Sequence, residues 1–212
     1  MKTKLRENNS NDLVVFLTGW GCDDNQFKNF SSSKNLLLCW DYCTLDFKFV
    51  FSKYNKVSLL AYSAGVLVAC LLKEKFPKFD KTVAVNGNPL MIDAKFGIDK
   101  KITDLMLNLN NCTDFISTYI VYDKQELKKF LSTPSYRPFK SSKQELLKIQ
   151  KYCNLKFTYI EFDKVFLSDN DKIFNPSTQQ EYFKDKYVLL KKTSHHTPFL
   201  RFSSTDELFS FK

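Results

Sequence analysis

The sequence predicts one α/β domain, a mostly parallel sheet covered by helices on both faces. Short apolar runs alternate with helix-like segments, which is the pattern of strands buried on both sides. A serine framed by small residues, Ala61-Tyr62-Ser63-Ala64-Gly65, joins one such run to an apolar helix. The length of 212 residues, 43% of them hydrophobic, supports a single core with a modest insertion and is too short for two full domains.

Four strands are expected first: Leu13–Leu17 (LVVFL), Asn35–Trp40 (NLLLCW), Val57–Ala61 and Thr82–Asn86 (TVAVN). The clearest helix runs from Ala64 to Phe76, where it ends in lysines and is stopped by Pro77. Two later strands, Asp163–Ser168 and Tyr187–Lys191, flank a helix from about Ser177 to Lys184. The interval from about 92 to 160 lacks a buried strand and carries helix-like stretches at Lys101–Leu109, Lys124–Leu131 and Lys143–Cys153. It is expected to be a helical lid inserted in the single domain, residues 1–212. Met1–Asp12 is polar, has no hydrophobic signal core and carries no element in this reading. No apolar run approaches the ~18 residues that span a bilayer. Six cysteines, Cys22, Cys39, Cys43, Cys70, Cys112 and Cys153, occur without C-x-x-C pairs, which suits reduced thiols and speaks against zinc. A soluble cytoplasmic protein is the expectation.

The chemistry begins at Ser63. A serine on a sharp strand-to-helix turn needs minimal side chains two positions to either side, and here Ala61 stands where the usual G-x-S-x-G has its first glycine. A serine nucleophile needs a base, and the chain has only two histidines, His195 and His196, directly after the last expected strand. An orienting acid is offered by Ser168-Asp169-Asn170-Asp171 after the penultimate strand, with Asp171 first and Asp169 in reserve. The order serine, acid, histidine at three strand ends is that of α/β-hydrolases. Acyl transfer also requires N–H donors for the developing oxyanion; those of Ala64 and of Trp20, in the Thr18-Gly19-Trp20-Gly21-Cys22 loop, are the expected pair.

The net charge is +9, and only Arg6, Arg137 and Arg201 among the 32 basic residues are arginines. Residues 92–160 hold 12 basic and 7 acidic side chains, so the excess concentrates in the expected lid. Such a field admits acidic partners, although lysine excess is more often a solvated surface. No nucleic-acid reader motif accompanies it, and no nucleic-acid or membrane partner is expected.

Taken together, LTGWG at Leu17–Gly21, Trp40-Asp41-Tyr42, AYSAG, AVNGNP at Ala84–Pro89, SDNDKIFNP at Ser168–Pro176 and HHTPF at His195–Phe199 resemble the BioG-type pimeloyl-[acyl-carrier protein] methyl ester esterases, over nearly the full length. The His-x-Pro-Phe ending is also similar to that of the larger BioH-type esterases, and that similarity selects His196 as the base. The resemblance implies a serine esterase of biotin biosynthesis that needs no metal or organic cofactor, with a triad of Ser63, Asp171 and His196. It further implies an acidic acyl-carrier protein as partner, for which Arg137, Lys124, Lys128, Lys129 and Lys140 are the expected contacts. A general short-acyl carboxylesterase or thioesterase would share the triad, and a silent binding protein would share only the fold.

Overall fold

Strands β1 (Lys2–Arg6), β2 (Asp12–Leu17), β3 (Asn35–Trp40), β4 (Lys56–Tyr62), β5 (Thr82–Val85), β6 (Lys164–Ser168) and β7 (Val188–Leu190) form one sheet in the computed structural model of the chain, which describes residues 1–109 and 115–211. Their order is β1-β3-β2-β4-β5-β6-β7, parallel throughout except for the β1–β3 pair. Period-two alternation divides the central strands between two cores. In β2, Leu13, Val15 and Leu17 face one apolar cluster, while Val14 and Phe16 face another.

Helix α1 (Ala64–Leu71) fills the first core and is buried from Ala64 to Cys70, as a helix that is hydrophobic all round must be. It is shorter than the expected Ala64–Phe76, because the chain tightens into a 3₁₀ turn at Lys73–Lys75 before Pro77. Between β5 and β6 come α2 (Lys100–Asn108), a π-helical turn at Ile116–Ile120, α3 (Lys124–Leu131) and α4 (Phe139–Tyr152). Helix α4 begins four residues before the expected Lys143. After β6, Asn175 caps α5 (Pro176–Phe183) by accepting the Ser177 and Thr178 N–H groups, with Pro176 at the first helical position. Short helices α6 (Pro198–Arg201) and α7 (Thr205–Ser210) close the second core.

Three helical pieces, the turn at Ile116–Ile120, α6 and α7, go unread in the sequence, and so does one strand, β1. It lies at the sheet edge, and its first three residues, Lys2-Thr3-Lys4, are exposed. Lysines on an edge strand blunt further pairing and at the same time erase the hydrophobic signal of a strand. Cys22, Cys39, Cys43, Cys70 and Cys153 are free thiols, and Cys112 lies outside the described residues. Among the described residues, no helix is long and apolar enough to cross a membrane.

Candidate active site

Ser63 sits between the end of β4 and the start of α1, with φ 52° and ψ −120°, a conformation that L-residues adopt only under constraint. The constraint is visible around it. The Ser63 N–H donates to the Val85 carbonyl at 3.0 Å and the Ser63 carbonyl accepts from the Val66 N–H at 3.0 Å. A Cβ on Gly65 would stand 2.2 Å from the Leu17 carbonyl oxygen, so α1 can approach β2 only with glycine there. Ala61 needs no such freedom. It is a fully buried strand residue paired with Leu17 and Ala84, which is why a methyl group is accepted where the usual pattern has glycine.

Two loops bring the partners of Ser63. From the loop after β6, Asp171 accepts the Ile173 and Phe174 N–H groups at Oδ1 (2.8 and 3.0 Å), which leaves Oδ2 aimed at His195 Nδ1 at 2.8 Å. His195, from the loop after β7, then places Nε2 3.0 Å from Ser63 Oγ. A carboxylate is acceptor-only, so it selects the tautomer with the proton on Nδ1, and the Nε2 lone pair is free to take the serine proton. All three side chains are buried, and they form one continuous hydrogen-bonded chain.

His196 is therefore not the residue beside Ser63, contrary to the expectation from sequence. Its N–H is held by the Ile120 carbonyl at 2.8 Å, and its ring lies among Phe27, Phe130, Phe199 and Tyr62, with centroids 4.9–5.7 Å away. The Tyr62 hydroxyl lies 3.4 Å from Nδ1. Burial, and secondarily the nearby His195, lowers its pKa to about 3, which keeps it neutral. Asp169 also takes another position: its carboxylate accepts the Lys192 and Thr193 N–H groups, both at 3.0 Å, and so ties the β6 loop to the β7 loop.

Arg137 is a second correction. Its side chain is 4% exposed and pairs with Glu145 at 2.7 Å and Asp41 at 3.1 Å, so it offers no free guanidinium to a surface partner. Lys124, Lys128, Lys129 and Lys140 are exposed. Trp20 and Ser63 line the same cavity, of about 280 Å³, whose remaining wall is mostly apolar and comes in large part from the β5–β6 insertion, including Met106, Phe115, Ile120 and Phe130.

Two buried polar residues escaped the sequence reading. Asn86 accepts the Ser168 N–H at 2.8 Å and donates to Ser168 Oγ and to the His195 carbonyl, both at 2.8 Å, clamping together the segments that carry Asp171 and His195. Its signal was a lone amide closing the apolar run TVAV. Glu145, on α4, accepts the backbone N–H groups of Gly21 and Tyr42 at 3.0 and 2.7 Å. It falls on the stripe Ser142, Glu145, Leu146, Ile149 that faces inward, a polar residue in an apolar register.

Comparison with known proteins extends the geometry. A family model described as "Pimeloyl-ACP methyl esterase BioG" matches residues 1–208. The crystal structure of BioG from Haemophilus influenzae superposes with a TM-score of 0.86 at 29% identity, covering 99% of this chain and 100% of that one. An esterase from Exiguobacterium antarcticum, 12% identical, superposes with a TM-score of 0.67 over 99% of this chain and 94% of its own; at that identity the likeness concerns the fold alone, and that fold is the expected α/β-hydrolase. A malonyl-[acyl-carrier protein] O-methyltransferase from Bacteroides fragilis is 30% identical over 176 residues, 80% of this chain but only 36% of that protein.

Proposed function

Because the chain belongs to the BioG family of pimeloyl-ACP methyl esterases, we propose that it hydrolyses the methyl ester of pimeloyl-[acyl-carrier protein] through an acyl-enzyme on Ser63, with His195 as base and Asp171 as the orienting acid. The hydrogen-bonded chain from Asp171 through His195 to Ser63 is the observation that carries this reading. Ser63 Oγ attacks the ester carbonyl as its proton passes to His195 Nε2, and the Trp20 and Ala64 N–H groups receive the oxyanion. Collapse of the tetrahedral intermediate breaks the bond to methoxide, which leaves as methanol with the proton from His195. Water then attacks the acyl-enzyme, again giving its proton to His195; the bond to Ser63 Oγ breaks, Oγ takes that proton back, and the free pimeloyl carboxylate departs on its carrier.

Residues from about 92 to 160 act as the lid, and their apolar side chains receive the acyl methylenes. The exposed lysines Lys124, Lys128, Lys129 and Lys140 face the acidic carrier protein. The partial likeness to a protein named for methylating a carrier-bound acid supports the reading, since a methyl ester is the group this enzyme removes. The five free thiols among the described residues support a cytoplasmic setting.

The test is methanol release from pimeloyl-carrier-protein methyl ester by the wild type and by Ser63→Ala. We expect the variant to lose about 10⁴-fold or more in rate. An ester left intact by the wild type overturns the proposal. Inhibition by free acyl-carrier protein distinguishes this activity from that of a general carboxylesterase.

A further inference from the structure

The loop proposed to bear the oxyanion donor is not held by the sheet alone. Gly19 to Cys22 forms a turn closed by the Cys22 N–H to the Gly19 carbonyl at 3.3 Å, with Gly21 at φ 72°, the left-handed conformation that such a turn requires at its third position. Two tethers run from this turn to α4. The Trp20 indole N–H donates to the Ser142 carbonyl at 2.6 Å, and the Gly21 N–H donates to Glu145 Oε2 at 3.0 Å. Ser142 and Glu145 are three residues apart, hence on one face of the helix. The other Glu145 oxygen accepts the Tyr42 N–H at 2.7 Å, and Arg137 Nη1 donates to Oε2 at 2.7 Å.

Three N–H donors converge on this fully buried side chain; burial pushes its pKa up, while Arg137 and the Tyr42 and Gly21 N–H groups oppose that and favour the carboxylate. A buried carboxylate needs several donors in any case, and a bidentate arginine can supply two of them. This carboxylate instead grips the backbones of two loops, those after β2 and β3, and Arg137 neutralises its charge beside a site that must accept a developing anion.

We propose that Glu145 is a positioning residue of the oxyanion hole: through it, α4 of the insertion fixes the Gly19–Cys22 turn so that the Trp20 N–H is aimed at the reacting carbonyl oxygen. The proposal rests on the acyl-transfer reading of Ser63. Glutamine at 145 keeps the shape but replaces one acceptor oxygen with an NH₂ that faces N–H donors, so one contact must open. Aspartate keeps the charge and withdraws it by one methylene.

Glu145→Gln and Glu145→Asp are to be compared with the wild type on p-nitrophenyl acetate. Binding of a trifluoromethyl ketone, which forms a tetrahedral adduct on the serine, is measured alongside binding of the matching methyl ketone, which mimics the ground state. In a folded variant we expect kcat to fall about ten- to a hundredfold, short of or equal to the loss of a whole oxyanion donor. KM should stay within about threefold. Trifluoromethyl ketone affinity should fall in step with kcat, while methyl ketone affinity holds. Unchanged kcat in either folded variant, or equal loss of both ketones, overturns the proposal. Ser63→Ala run in parallel separates the two readings: ester turnover that survives it removes acyl transfer at Ser63 itself, whatever Glu145 does.

Discussion

The two walls of the active-site cavity are built for different tasks. On the sheet side, Ser63, Asp171 and His195 follow the carboxyl ends of β4, β6 and β7; Ser63 and His195 are held by hydrogen bonds to β5 and to Asn86 beyond it, and Asp171 by N–H groups of its own loop. On the insertion side, Met106, Phe115, Ile120 and Phe130 present apolar surface. Proton transfer depends on direction, so the first wall is fixed by hydrogen bonds; apolar burial depends on area and not on direction, so these four side chains need only pack, while α4 of the same insertion adds directed contacts through Ser142 and Glu145. The adjacent histidines meet different surroundings. His195 faces a carboxylate and a hydroxyl, whereas His196 is enclosed by aromatic rings, one of them Phe130 from the insertion.

The sharpest way to break this comparison is to remove each imidazole in turn. His195→Gln should lower kcat/KM for a p-nitrophenyl ester by about 10⁴-fold or more, whereas His196→Phe should cost less than about tenfold. Equal losses would erase the distinction between the walls.

A smaller effect concerns stability and pH. The folded chain holds His196 neutral, with a pKa of about 3, while the unfolded chain protonates it near 6.5. The unfolded state therefore binds more protons between those values. The contribution of neutral His196 is intact above about pH 6.5 and is lost as the pH falls toward 3, at up to about 1.4 kcal/mol per pH unit. Denaturant midpoints measured from pH 7.5 to 5 should fall less steeply in His196→Phe than in the wild type. Parallel slopes would show that the ring is not kept neutral by its aromatic enclosure.

The smallest effect is expected outside the cavity. Replacing Lys124, Lys128, Lys129 and Lys140 by glutamate should raise KM for the carrier-protein substrate several-fold at low salt while sparing the small ester. Equal change on both substrates would assign these lysines to the solvated surface alone.

Much of the sheet was legible because its central strands are buried on both faces and read as unbroken apolar runs, as NLLLCW does at β3. The edge strand β1 was not, since its lysines face solvent. Ser63 could be read from small-residue spacing, and chain order narrowed the acid to Asp171 or Asp169, which only their partners in the fold tell apart. The choice between His195 and His196 could not, because two identical neighbours differ only in what the rest of the fold brings to them. Arg137 was misread for a related reason: a positive charge in sequence carries no mark of whether water or a buried carboxylate will meet it, and Glu145 lies eight positions away on another element.

The sequence by itself determined the alternation of strand and helix, the place of Ser63 on a strand-to-helix turn and the chain order of serine, carboxylate and histidine, because local sterics and hydrophobic period set these within a few residues. Tertiary structure alone decided which histidine meets Ser63, that Arg137 is enclosed, and that an insertion helix grips the Gly19–Cys22 turn. Each of those outcomes depends on hydrogen-bond partners remote in the chain, as in the contacts Asn86–His195, Ile120–His196 and Gly21–Glu145, whose meeting is fixed only when the sheet and insertion pack together.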